Sequence, residues 1–434
     1  MTLERHIPWV AGVIAFVGIA TLPMRWVPII SAGGLVLEVP NAVSAVFALI
    51  LPFAILISRR MWRIHLLFGL LVLWSLLYFL SMTVHNTPLG IPIMRQEVMQ
   101  TAFGWTLALA IAHSNIPLSR IGFWGLICLG GLVYVSSLMV GVDIISEVLN
   151  YIFTGDRNRF LYRALRPIFN AFVGGSSDVT YVASLMNDLA MSIVMLVILV
   201  FLADGREPGK SRAPVNLFAL GCMAFAFLLF STSAIIVILL VAMVFGYRLL
   251  GRASDFQKVA IPLLALMAAI VVAGPLDDFI GSNLAEDGNS RGARLGQYAE
   301  AMDRISENML TGDGYFEHDG FPVHNWPLFS WSTAGYVPFL IVIGVYLMSF
   351  YGAAKGITFL KRGDGLYLLP LFMILLVRTA FGGGGGVPSG SAIVAMAVIA
   401  GILERRRREL RQREEPRYLV RIPDRPALGG PVPG

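Results

Sequence analysis

Apolar residues run along this chain in long blocks broken by short polar joints. Twelve blocks can be read, at residues 7–23, 41–58, 64–84, 97–112, 119–141, 179–203, 214–230, 232–247, 259–275, 335–354, 365–380 and 387–403. Each is about the length that a helix needs to cross a hydrocarbon core of roughly 30 Å. The seventh and eighth belong to one run, 216–246, too long for a single helix. It divides at Ser231-Thr232-Ser233, where hydroxyls can cap a tight hairpin. The pattern predicts an all-α polytopic membrane protein with about 12 transmembrane helices. They form a single domain over residues 1–403, with two larger loops at about 142–178 and 276–334.

Both loops carry helical patterning of their own. Residues 144–153 place apolar side chains at near-helical spacing ahead of a basic stretch, which suits a short helix lying in the membrane interface. In 290–308, Leu295, Tyr298, Ala299, Met302, Ile305 and Met309 recur three and four apart, the stripe of an amphipathic helix. The segment 404–434 opens with four consecutive arginines and ends rich in Pro and Gly. It reads as a basic, disordered tail drawn to anionic lipid.

Composition agrees with the pattern: 56% of residues are hydrophobic, 14% are charged and the mean hydropathy is +0.73. The first block has no small-residue cleavage site after it and is expected to stay in place. Cys128 and Cys222 both fall inside predicted spans, where small apolar packing residues are expected and no disulfide framework is implied. No internal repeat is visible, which argues against a carrier built from duplicated halves.

Cations fix the orientation, because short Lys- and Arg-rich loops stay in the cytoplasm. With both termini cytoplasmic, 23 of the 33 Lys and Arg residues lie inside, all four lysines among them. The ten left outside are arginines, and seven sit in the two loops: Arg157, Arg159, Arg163 and Arg166 in the first, Arg291, Arg294 and Arg304 in the second. Arginine holds phosphate or carboxylate through a bidentate fork. Outer loops that break the positive-inside tendency with arginine alone point to a bound anion. Arg291 and Arg294, three apart near a helix start, form a candidate pyrophosphate clamp.

Further chemistry clusters nearby. Asn187 and Asp188 lie about nine residues into a span, where an ionisable group is a functional candidate by default. Arg378 is another ionisable residue within a span, and such residues are few. His324 is a candidate general base, or a group that holds an acceptor hydroxyl. His318 reads as a loop residue. Asp313, His318, Asp319 and His324 match no established metal spacing, so neither metal nor cofactor is expected.

At these residues the chain resembles the O-antigen ligase and polymerase superfamily of bacterial membrane enzymes. Its motif is a His-Asn pair, nine residues and a Gly, and His324-Asn325, Trp326–Ala334 and Gly335 fit that spacing. Upstream, Arg294, Tyr298, Leu310 and Gly312-Asp313-Gly314 look like the family's Arg, aromatic, Leu and Gly-x-Gly arrangement. The chain departs from the pattern twice. Pro338 stands where Gly, Thr or Tyr is usual, and the Ser231 hairpin lacks the arginine many members carry there, leaving Arg163 or Arg166 to replace it.

The resemblance implies metal-independent, inverting transfer of a glycan from undecaprenyl diphosphate to an acceptor sugar hydroxyl, at the periplasmic face of a bacterial inner membrane. His324 would act on the acceptor, Arg291 and Arg294 on the diphosphate, and Asn325 and Trp326 as supporting or sugar-facing groups. The acceptor would be lipid A-core for a ligase, or lipid-linked or nascent polysaccharide for a polymerase. The histidine motif leans toward the ligase form. Membrane lipids are the other expected partners, and nucleic acid is not one. A flippase for polyprenyl-linked glycans is the rival class. It predicts ionisable residues spread through many spans, and those here are few.

Overall fold

The computed structural model describes residues 3–419 except 23, 25–27, 33–34, 86–90, 155–156, 169–178, 203–212, 230–231, 251–287, 316–322, 324, 360–364, 381–387 and 389. At some helix ends, including Arg291 and Arg294, it describes the backbone alone. The predicted span 259–275 lies outside the described residues.

The helices follow the apolar blocks. They are α1 (Leu3–Ala20), α2 (Val39–Ile57), α3 (Trp62–Val84), α4 (Ile91–His113), α5 (Leu118–Met139), α6 (Ile144–Thr154), α7 (Arg157–Phe160) and, after a π turn at Leu161–Leu165, α8 (Val179–Phe201). Then come α9 (Ala213–Leu228), α10 (Thr232–Leu250), α11 (Gly288–Glu307), α12 (Trp326–Ala334), α13 (Tyr336–Phe359), α14 (Leu368–Ala380) and α15 (Ser391–Leu419). Among them α2, α3, α5 and α13 are long and apolar enough to cross a membrane. Large apolar side chains point outward from the bundle, among them Leu49, Phe53, Leu76, Leu80 and Leu347. Such a surface suits lipid rather than water.

Two features differ from the sequence expectation. Strands β1 (Pro28–Ala32) and β2 (Leu35–Glu38) pair antiparallel, with Ala32 opposite Leu35 and Ile30 opposite Leu37, so the chain is not wholly helical. The reason is local: β-branched and aliphatic residues flank Gly33-Gly34, a pair that two-residue hairpins favour.

The second difference is the tail. Rather than being disordered from residue 404, the chain stays helical to Leu419. Two of the arginines there, Arg405 and Arg408, turn inward onto the chain around the end of α4. Arg408 donates to the Ala112 carbonyl at 3.1 Å and to His113 Nδ1 at 2.9 Å, and Arg405 donates to the Ile116 carbonyl at 3.2 Å. Cations at the C-terminal end of α4 satisfy its last carbonyls and complement its dipole. Glu404 and Arg405 are buried accordingly.

Packing centres on α4, which lies against α1, α2, α3 and α15. Alanines on both sides, Ala108 and Ala112 with Ala395 and Ala397, are buried there, as suits helices that pack closely in lipid. A second layer joins α8 to α5, α9 and α10, and α14 bridges α13, α15 and α10. The largest fully buried side chains, Trp74, Trp326 and Tyr367, fill the centre. The short helix α12 sits against α3 and α13, beside the half of α3 farthest from its Trp62 start.

Candidate functional site

Two separate polar segments close on one another to make the site. The turn after α11 lies along the end of α12: Asp313 N donates to Ser332 O at 2.8 Å, Gly314 N to Thr333 O at 3.0 Å and Tyr336 N to Leu310 O at 3.3 Å. Trp331 Nε1 donates to Met309 O at 3.1 Å. Two of the motif's three glycines make this possible. Gly312 has φ of +70°, and a Cβ there would stand 2.5 Å from the Thr333 and Ala334 backbone. Gly335 has φ of +89°, and a Cβ there would meet the Leu310 carbonyl. No L side chain fits between backbones this close.

Arg304 holds the turn from the other side. Its Nη1 donates to Asp313 Oδ2 at 3.0 Å, and its Nη2 and Nε donate to Glu300 Oε1 at 3.0 and 3.2 Å. An arginine so engaged by two carboxylates positions the loop.

Asn325 caps α12: its Oδ1 accepts from Leu328 N at 3.0 Å while its own backbone is extended, the expected N-cap geometry. Trp326 follows at 2% exposure, edge-on to Trp74 and to Tyr346 with ring centroids 5.7 and 5.8 Å apart. A ring enclosed by two others packs the site, as the supporting one of its two expected roles requires. Trp74 Nε1 donates to Ser330 Oγ at 2.9 Å and Ser81 Oγ to Thr333 O at 2.7 Å, so α3 anchors α12 by two hydrogen bonds.

Asp188 of α8 accepts from Arg378 Nη2 of α14 in a tight ion pair whose side chains are 14% and 12% exposed. The sequence singled out both residues without pairing them, 190 positions apart. The next residues of α14 reach α13 and α11: Thr379 Oγ1 shares a hydrogen bond of 2.7 Å with Tyr346, which touches Trp326, and Tyr298 of α11 donates to Ala380 O at 3.5 Å. Tyr298 thus docks α11 on the end of α14 that carries Arg378. Arg294 precedes it by one helical turn.

Other expected residues fall elsewhere or outside the described set. All of His318 and His324, and the side chains of Arg291 and Arg294, lie outside the described residues. Val323 is buried and Asn325 half-buried. Arg163 is exposed and Arg166 lies over the Tyr162 ring at 5.6 Å, in the stretch that follows α6. Among the described residues, neither makes a hydrogen bond or ion pair to α11, α12 or α14. No group of three or more His, Cys, Asp or Glu suited to a metal occurs among the described residues.

One further residue went unread in the sequence. Glu97 of α4 is 5% exposed and within electrostatic reach of Tyr78, as is Tyr315 from the turn side. The signal was present, a carboxylate at the first position of a predicted span, yet a span edge is where a charge attracts least notice.

Chemically, the arrangement offers a buried arginine held by a carboxylate, an amphipathic helix bearing two more arginines, and an asparagine-capped helix start beside an aromatic wall. No protein-family model matches the chain, and no curated protein matches it either.

Proposed function

We propose that this chain is a membrane glycosyltransferase of the O-antigen ligase and polymerase type, with about 12 spans and both termini in the cytoplasm. It moves a glycan from undecaprenyl diphosphate to an acceptor hydroxyl at the outer face of a bacterial inner membrane. The observation that carries this reading is the closure of residues 310–314 on residues 332–336. It joins the two halves of the motif that the resemblance rests on, and Gly312 and Gly335 both stand where only glycine fits.

In this reading His324, directly before the cap residue Asn325 in sequence, takes the proton of the acceptor hydroxyl. The acceptor oxygen attacks the anomeric carbon in line, the bond from that carbon to the diphosphate oxygen breaks, and undecaprenyl diphosphate leaves with the bonding pair. The α11 arginines, Arg291 and Arg294, meet the charge developing on the leaving group. Arg378 supplies a third cation, in place of the arginine missing from the Ser231 hairpin. It stands on α14, against which α10 packs directly after that hairpin. Arg163 and Arg166, in the stretch that follows α6, are left to meet the donor's outer phosphate or lipid headgroups.

The test compares wild type with His324→Ala, purified and reconstituted, given undecaprenyl-diphosphate glycan with either lipid A-core or a second lipid-linked glycan. Loss of transfer in a folded variant is the expected result, and the acceptor that works in the wild type separates ligase from polymerase. Undiminished transfer by the variant overturns the mechanism.

A further inference from the structure

The opposite end of the bundle, far from this site, carries a groove of about 290 Å³ between α3, α13 and α15. Its walls are Leu66, Leu67, Met348, Met396, Ile399 and Leu403, all apolar. Its mouth holds Trp62, Arg63, Glu404 and Arg407. Cations thus gather at one end of an apolar slot, with an exposed indole, Trp62, beside them in the position aromatic residues favour at a membrane interface.

Two buried polar atoms on residues that line the groove have no hydrogen-bond partner among the described residues. Ser349 is 2% exposed and lines the slot, yet its Oγ makes no hydrogen bond among the described residues. A serine in a helix usually bonds the carbonyl one turn back, so a buried hydroxyl left over calls for an acceptor from outside. Arg63 has a buried Nη1 that is likewise without a hydrogen-bond partner among the described residues, while its guanidinium lies 5.2 Å over the Trp62 ring. The balance of charge at the mouth is positive. Arg407 stands 3.5 Å from Glu404, but Arg63 and Arg411 also act on that one carboxylate.

We propose that this groove is a binding site for an anionic phospholipid, with an acyl chain between α3, α13 and α15, the phosphate at Arg63 and Arg407, and a glycerol ester oxygen at Ser349. The site is independent of the glycosyltransferase reading and rests only on the chain being a membrane protein. The order of groups along the slot matches a lipid: a cationic mouth, a hydroxyl deeper in, and apolar walls. The basic run of α15 therefore divides its work. Arg405 and Arg408 hold α4, and Arg407 faces the lipid.

Native mass spectrometry of the full chain in detergent tests this, titrating phosphatidylglycerol, phosphatidylcholine with the same chains, and glycerol phosphate. Phosphatidylglycerol should bind in preference to phosphatidylcholine, and glycerol phosphate should not compete with it. Arg63→Gln with Arg407→Gln should weaken phosphatidylglycerol roughly thirtyfold, about a fivefold loss for each arginine. Ala400→Phe, which fills the slot and leaves both arginines, should abolish the preference too, and it carries the test if the arginine pair does not yield folded protein. Equal binding of the two lipids, unchanged binding in either variant, or full competition by glycerol phosphate overturns the proposal, the last by marking an anion site without a lipid groove.

Discussion

Gly335 begins where Leu310 ends its turn: the Leu310 carbonyl occupies the space a Cβ at residue 335 would need, and it accepts from Tyr336 N at 3.3 Å. Gly335 also has φ of +89° and ψ of −171°, a conformation open to glycine. Gly335→Ala therefore combines backbone strain of about 1–3 kcal/mol with a collision against a main-chain atom. Loss of at least about 3 kcal/mol is expected, seen as a lower melting temperature and poor yield. An alanine variant as stable as wild type would refute the close approach.

Asp188 and Arg378 should behave as a unit. Removing one partner, as in Asp188→Asn or Arg378→Gln, strands the other charge in a low-dielectric site and should cost about 3–5 kcal/mol. Replacing both with apolar residues, Asp188→Leu with Arg378→Met, should restore most of the melting temperature. If Arg378 serves the diphosphate as proposed, the double variant regains stability without regaining transfer. Recovery of both would leave the pair a purely structural role.

Asn325 is predicted to matter first as a cap. Asn325→Ala should cost about 1 kcal/mol and reduce transfer, whereas Asn325→Ser, which still accepts from Leu328 N, should keep both near wild type. A serine variant that is stable but inactive would assign the amide a contact with substrate.

The far end of α4 should make the protein sensitive to acid. His113 lies one residue past the predicted span 97–112. Arg408, a donor at every pH, bonds its Nδ1 at 2.9 Å, so Nε2 carries the proton toward Ser58 Oγ at 2.8 Å. Burial, and then the Arg408 charge, push this imidazole down from its ordinary 6.5 to about 4. Between those values the unfolded chain binds a proton that the folded chain refuses. Stability is therefore full above about pH 6.5 and falls as the pH drops toward 4, by an amount on the order of 1–3 kcal/mol. His113→Gln should flatten melting temperature against pH over that window; an unchanged acid slope would point to another group.

Much of the architecture was written in the sequence because its cause is local. Blocks of apolar residues become helices wherever they occur, so eleven of the twelve predicted segments coincide with described helices. The split of 216–246 into α9 and α10 and the two amphipathic loop helices were legible for the same reason. Periodicity, caps and breakers act within a few residues. The motif glycines could also be marked from their spacing alone.

What the tertiary structure decided depends on which residues meet, and linear order does not encode that directly. It paired Asp188 with Arg378, enclosed Trp326 between Trp74 and Tyr346, and set Arg304 between Asp313 and Glu300. It also drew Arg405 and Arg408 out of an expected disordered tail onto the end of α4. A charge run reads as solvated in sequence because its partners, carbonyls at Ala112 and Ile116, lie almost three hundred positions away. An arginine bonds whatever oxygens the fold brings within reach, and only packing selects them.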